Sequence, residues 1–167
     1  GFGGRRIEAC LLAAGQEFTQ TTTPFAVGLA RFIDVKKGYF VGRTTLMAAD
    51  KKCRSWGIRV VGGTAVRGDT LEKSGQPVGR VTSSTWSPYQ VCGVGIVHLN
   101  NTNLGPGAVV DVQCTDGTLH RGELCTLPMY DPKGKIVRGI NKVIPTEPEP
   151  WVGIPVTADT QANAENT

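Results

Sequence analysis

The chain has 167 residues, 40% hydrophobic and 19% charged, with 22 glycines and 10 prolines; this length allows one domain, or one and part of a second, with a core of useful size. The composition favours a turn-rich, mostly β protein over a helical bundle. A net charge of +4 with scattered cations leaves no basic stripe for a nucleic acid, and no apolar run is long enough to span a membrane.

The opening, GFGGRRIEACLL, lacks the long apolar stretch and cleavage site of a signal peptide. The cysteines at 10, 53, 92, 114 and 125 are odd in number and form no C-x-x-C, and no histidine stands at a ligand spacing from them. They read as free, mostly buried thiols, which points to a reducing, cytoplasmic setting.

Taken in order, residues 6–18 carry apolar side chains at 7, 10, 11, 14 and 18, a helical spacing that Gly15 ends. Thr23 is held extended by Pro24, and the alternation Phe25/Val27/Leu29 predicts an extended segment over 25–35, with a helical turn as the alternative. Lys36-Lys37-Gly38 is a turn, and a helix opens at Gly42 with Leu46, Met47 and Ala49.

From Cys53 the period becomes two. Trp56, Ile58 and Val60 share one face of a half-buried strand. Hairpins follow across Ser74-Gly75 and across Asp116-Gly117, the latter a type I′ signal. The stretch 76–99 holds the clearest pair of strands: 78–81 and 91–99, joined by loop-forming residues 83–88. The second is apolar on both faces, Val91/Val97/Leu99 and Cys92/Val94/Ile96, so it should be covered on both sides. Gly79, Gly93 and Gly95 mark bends or places where another backbone or a ligand comes close. The fold class is therefore mainly β with a short α/β N-terminal portion, built on a small antiparallel barrel of about six strands.

After Leu127 the chain is rich in proline and poor in apolar residues, so 131–167 reads as an extended, largely disordered tail. Trp151 either docks it on the body or stands exposed.

No complete catalytic constellation is visible. His98 and His120 lack partners and read as structural, and Gly93-x-Gly95 lies inside a strand, which excludes a dinucleotide fingerprint. Glu8 has two readings. It pairs with Arg6 at the surface, or, half-buried, it accepts two N–H donors from a guanidine-like edge such as that of a pterin or purine.

Several short patterns fall in a known order: Arg6-Ile7-Glu8-Ala9, Gly15 and Glu17, Thr23-Pro24 with Gly28-Leu29, Lys37-Gly38-Tyr39-Phe40-Val41-Gly42-Arg43 with Leu46, and Gly79-Arg80-Val81-Thr82-Ser83 with Ser87-Pro88. Together they resemble the C-terminal half of the glycine cleavage T-protein (aminomethyltransferase) family, which includes the folate-binding portions of dimethylglycine and sarcosine dehydrogenases. The resemblance implies that 1–50 is the end of the folate-binding core domain and 51–130 the C-terminal β-barrel domain. It implies tetrahydrofolate as cofactor, with Glu8 as pterin ligand and Arg67 on the barrel side facing the folate cleft. Departures at Ala14, Ala26, Arg31 and Ser84 suit a divergent member.

The family's catalytic aspartate belongs to the N-terminal half, so no catalytic residue is expected in this chain. The expected function is the C-terminal portion of a tetrahydrofolate-dependent one-carbon transferase, inactive alone. It would act with an N-terminal half or partner chain completing the folate site, and with a small methylated or aminomethyl donor. The alternative is a non-catalytic β-barrel module docking a partner protein or a larger oxidoreductase.

Overall fold

The computed structural model describes residues 2–100 and 103–154. The expected tail beyond 154 lies outside the described residues. Six strands, β1 (Ser55–Val60), β2 (Thr70–Lys73), β3 (Gln76–Ser87), β4 (Cys92–Leu99), β5 (Val109–Gln113) and β6 (Leu119–Cys125), close into an antiparallel barrel in the order β1-β4-β3-β2-β5-β6. Ahead of it come α1 (Phe2–Glu8), a 3-10 turn at Ala30–Phe32 and α2 (Arg43–Ala48). The expected fold class and strand number are those observed.

Alternation explains the core. Ile58, Val60, Leu71, Val81, Val97, Leu99, Val110, Val112 and Leu124 fill the barrel interior. Burying each such side chain contributes about 1.5–3 kcal/mol. The other face of β4 presents Cys92, Val94 and Ile96 to Ile7 of α1, with Leu12, Leu127, Met129 and Trp151 around them. Strand β4 is thus covered on both sides, as its two apolar faces predict, and α1 is fixed to the barrel by Ile7.

The three glycines singled out in this region are close-approach sites for backbone. A Cβ on Gly93 would stand 2.2 Å from the carbonyl oxygen of Gly63, and one on Gly79 2.6 Å from that of His98. Only a residue without a side chain lets these segments meet.

Four sequence expectations are corrected. The helix expected over 6–18 instead starts and stops earlier. Leu11 N–H reaches the Arg6 carbonyl (2.8 Å) and Cys10 N–H the Ile7 carbonyl (3.1 Å), with Cys10 at φ 56°. This is a left-handed C-terminal cap that ends α1 at Glu8, well before Gly15. Residues 25–35 form turns rather than an extended run: Gly28 N–H bonds the Phe25 carbonyl and Leu29 N–H that of Pro24, with Gly28 at φ 76°. Phe25 and Val27 are nevertheless buried.

The loop expected at 83–88 is strand. β3 runs on to Ser87, pairing Ser83 with Ile96 and Ser87 with Cys92 after a register shift that leaves Thr82 as an extra residue. Its hydroxyls are buried against carboxylates, so the polar composition is not a loop signature here. The β5–β6 turn is not type I′. Of its residues only Gly117 takes positive φ (90°), with Gly117 N–H on the Cys114 carbonyl and Cys114 N–H on the Thr118 carbonyl, a three-residue loop. The doubly positive geometry occurs instead at Ser74 (φ 53°) and Gly75 (φ 72°).

From 131 to 154 the chain forms turns and irregular structure. Glu149 N–H bonds the Tyr89 carbonyl and Trp151 N–H the Gln90 carbonyl, both at 2.8 Å. Trp151 is docked, with the Arg59 guanidinium 6.0 Å from its ring centroid.

Candidate functional site

Two buried carboxylates join the N-terminal segment to the barrel. Glu8, the last residue of α1, is 8% exposed and Glu17 4%. The backbone carbonyl of Glu8 accepts N–H bonds from Met129 (2.8 Å) and Tyr130 (3.2 Å), which ties the chain leaving β6 to the helix end. Its side-chain Oε1 accepts the Ser87 hydroxyl, and Ser87 Oγ in turn accepts Gln90 N–H at 3.0 Å. The hydroxyl has one proton and gives it to the carboxylate. Oε2 accepts no hydrogen bond among the described residues, and Glu8 lines a cleft of about 310 Å³.

The walls of that cleft are Trp86, Pro88, Tyr89 and Tyr130, with Ile144 and Pro145 from the tail and Arg5 at the edge. Tyr89 and Tyr130 meet edge to face, centroids 5.5 Å apart at 84°. The Tyr89 hydroxyl donates to Glu149 Oε2 at 2.6 Å, and this carboxylate pushes the phenol up to about 12. Tyr89 therefore stays neutral while its ring is held in place. A carboxylate with one oxygen fixed and one free, between aromatic and proline surfaces, can hold a flat heterocycle by its N–H edge. The volume is at the low end for small-molecule sites, enough for a ring system.

Glu17 is satisfied entirely within the protein. Its Oε2 accepts Ala13 N–H at 2.7 Å and Arg6 Nη1 at 3.0 Å, while Oε1 accepts the Ser83 hydroxyl; the Thr82 hydroxyl, 3.5 Å from Oε1, gives its proton to the Ile96 carbonyl at 2.9 Å. Arg6 is thus the partner of Glu17, not of Glu8. The surface Arg6–Glu8 pair is not formed. Arg67 donates from Nη2 to the Gly15 carbonyl at 2.7 Å and so fastens its own loop to the N-terminal segment. It does not line the Glu8 cleft, and the two expected site residues are not brought together.

Sequence reading did not assign Ser87, Trp86, Tyr89 and Tyr130 to a site. The available signal was the hydroxyl-rich run Thr82–Ser84 and Ser87 between apolar strands. Glu17 stood in the resemblance without a role. All five cysteines are free, Cys92, Cys114 and Cys125 buried. Among the described residues no group of three or more His, Cys, Asp or Glu side chains could hold a metal, and no helix is long and apolar enough to cross a membrane.

Residues 54–131 match the family described as glycine cleavage T-protein C-terminal barrel domain. The barrel is homologous to that domain. Aminomethyltransferases extend the likeness beyond it: 34% identity over 68% of this chain and 33% of the protein from Thermosynechococcus vestitus, and 30% over 78% and 37% for that of Prochlorococcus marinus. The aminomethyltransferase of Streptomyces coelicolor is 30% identical over 75% of this chain and 36% of its own. The chain spans about a third of the length of these curated relatives. A crystal structure of the glycine cleavage system aminomethyltransferase T from Bartonella henselae superposes with a TM-score of 0.69 at 21% identity, over 78% of this chain and 38% of that one, and so shares the fold. The likeness thus reaches beyond the barrel into the segment that precedes it, and the Glu8 cleft lies where the two meet.

Proposed function

We propose that the chain is the C-terminal portion of a tetrahydrofolate-dependent one-carbon transferase, acting on a small methylated or aminomethyl donor. The observation that carries this reading is the Glu8 carboxylate. One of its oxygens is fixed by Ser87 and the other is free in a cleft walled by Trp86, Tyr89 and Tyr130. Likeness to aminomethyltransferases supports the choice of folate.

When bound, tetrahydrofolate supplies the nitrogen atoms to which a one-carbon unit is attached. The role of this chain is to bind and orient. Glu8 would accept the paired N–H donors of the pterin edge, the aromatic walls would cover the ring, and Ser87 would keep the carboxylate from turning. The catalytic aspartate implied by the resemblance would come from an N-terminal half or partner chain completing the site. Five free thiols support a cytoplasmic setting.

A docking-module reading has its own support. Phe32, Tyr39 and Val41 are 71%, 89% and 90% exposed within one short segment, an apolar surface suited to a protein partner. Calorimetric titration with tetrahydrofolate separates the two. The transferase reading expects a dissociation constant of about 1–100 µM, weakened at least about tenfold in Glu8→Gln with the fold intact. Absence of heat from the unaltered chain and retention of a protein partner would favour docking instead.

A further inference from the structure

A second cleft, of about 350 Å³, lies between residues 16–23 and the outer face of the sheet. Strand register builds its floor: Ser55 is paired with His98 and His98 with Arg80, so one row crosses β1, β4 and β3. Arg54 and Lys52 enter from the segment before β1, and Thr82 continues the β3 side.

The charges facing this cleft do not balance. Asp50 is taken by Arg54, Nη2 to Oδ2 at 2.7 Å. Glu17, which also reaches the cleft, is committed to Arg6, Ala13 N–H and the Ser83 hydroxyl. The side chains of Arg80 and Lys52 form no hydrogen bond or ion pair among the described residues. His98 is half-buried with Nδ1 3.4 Å from Ser55 Oγ, and burial together with the neighbouring Arg80 and Arg54 cations lowers its pKa from the ordinary value. Two cations without a side-chain hydrogen bond or ion pair among the described residues and one imidazole therefore share a concave site lined by threonines.

We infer that this cleft binds a small oxyanion, a phosphate or a carboxylate, held by Arg80 and Lys52 with His98 beside it. A guanidinium fork matches either oxyanion, and Arg80 is free to turn its fork inward. Entry of the anion cancels the positive field at His98 and lets the ring take up a proton and donate as well. The site is separate from the Glu8 cleft and stands or falls without the folate reading.

His98 and His120 are the only two histidines of the chain, so one reports and the other controls. The experiment is an NMR titration of both rings on the full chain, with inorganic phosphate or succinate against chloride at matched ionic strength. His98 is expected to titrate at least about half a pH unit higher with the bound anion while His120 stays put. In Arg80→Gln the anion's affinity should fall about tenfold, the loss of one charge-assisted pair. Because Arg80 is exposed and its side chain forms no hydrogen bond or ion pair among the described residues, that variant keeps its fold. A response to phosphate alone or to succinate alone names the source. Glu8→Gln should leave every one of these responses unchanged. No shift with either anion, equal shifts at both histidines, or an Arg80→Gln titration like that of the unaltered chain would overturn the assignment.

Discussion

Glu17→Ala removes a carboxylate on which three pieces of chain converge: the Arg6 guanidinium, the Ala13 N–H and the Ser83 hydroxyl of β3. The carboxylate is fully buried and Arg6 only 14% exposed, so the pair belongs to the interior. Removing one member of such a pair costs about 3–5 kcal/mol, because the other charge is left without its counterion. The amide and hydroxyl donors lose an acceptor too, but such terms overlap and do not sum. Arg6 offsets part of the loss, since it keeps the Leu11 carbonyl (2.9 Å) and Gln16 Oε1 (3.1 Å). The expected net cost is about 3 kcal/mol. In urea denaturation this would lower the midpoint by about 1.5 M at an m-value near 2 kcal/mol/M, with the slope unchanged. Hydrogen exchange should speed up across 1–30 before it does in the barrel. A loss under about 1 kcal/mol would refute the reasoning, since it would mean the carboxylate is not what fastens the segment to β3. Replacing Arg6 and Glu17 together with methionine should recover part of the loss.

Gly93→Ala drives a Cβ to 2.2 Å from a carbonyl oxygen and to 3.1 Å from Thr64 Cα, both backbone, whereas a Cβ on Gly38 meets nothing within 4 Å; thermal denaturation should show a loss above about 3 kcal/mol for the first and under about 0.5 for the second. His98 is held below its ordinary 6.5 when folded. The unfolded chain therefore binds the extra proton first, and this contribution to stability is full above pH 6.5 and falls as pH drops through the folded value. Stability measured against pH should decline more gently over that window in His98→Gln. Burial pushes the thiols of Cys92 and Cys125 up to about 11. At pH 8 a disulfide reagent should label these two more slowly than Cys10 and Cys53, which are half-buried, and equal rates in peptide mapping would contradict this.

The barrel was legible because its strands alternate and its hairpins are punctuated. Trp56/Ile58/Val60 and the two faces of 92–99 leave no other burial. The misread stretches have two causes: side chains whose environment is set by distant residues, and local backbone turns and caps that apolar spacing does not announce. Ser83, Ser84 and Ser87 look like a loop until Glu17 and Glu8 supply acceptors for two of them, and the Ala65 carbonyl for the third. Cys10 looks like a helical position, but the helix has already capped itself. At the site, Glu8 was visible from its motif, whereas Tyr130 lies far along the chain and enters only because Met129 and Tyr130 N–H groups bind the Glu8 carbonyl. Arg67 was placed by resemblance near the cleft, and its reach to Gly15 is a tertiary contact that no local pattern announces.

Strand β1 pairs with β4 on one side and β6 on the other, and this closes the sheet. An extended peptide finds little bare ladder to lengthen, because every strand already has two neighbours over part of its length. Recognition therefore runs mainly through side chains and loops draped over the cylinder. Those surfaces can diverge freely among relatives without disturbing the frame that carries them.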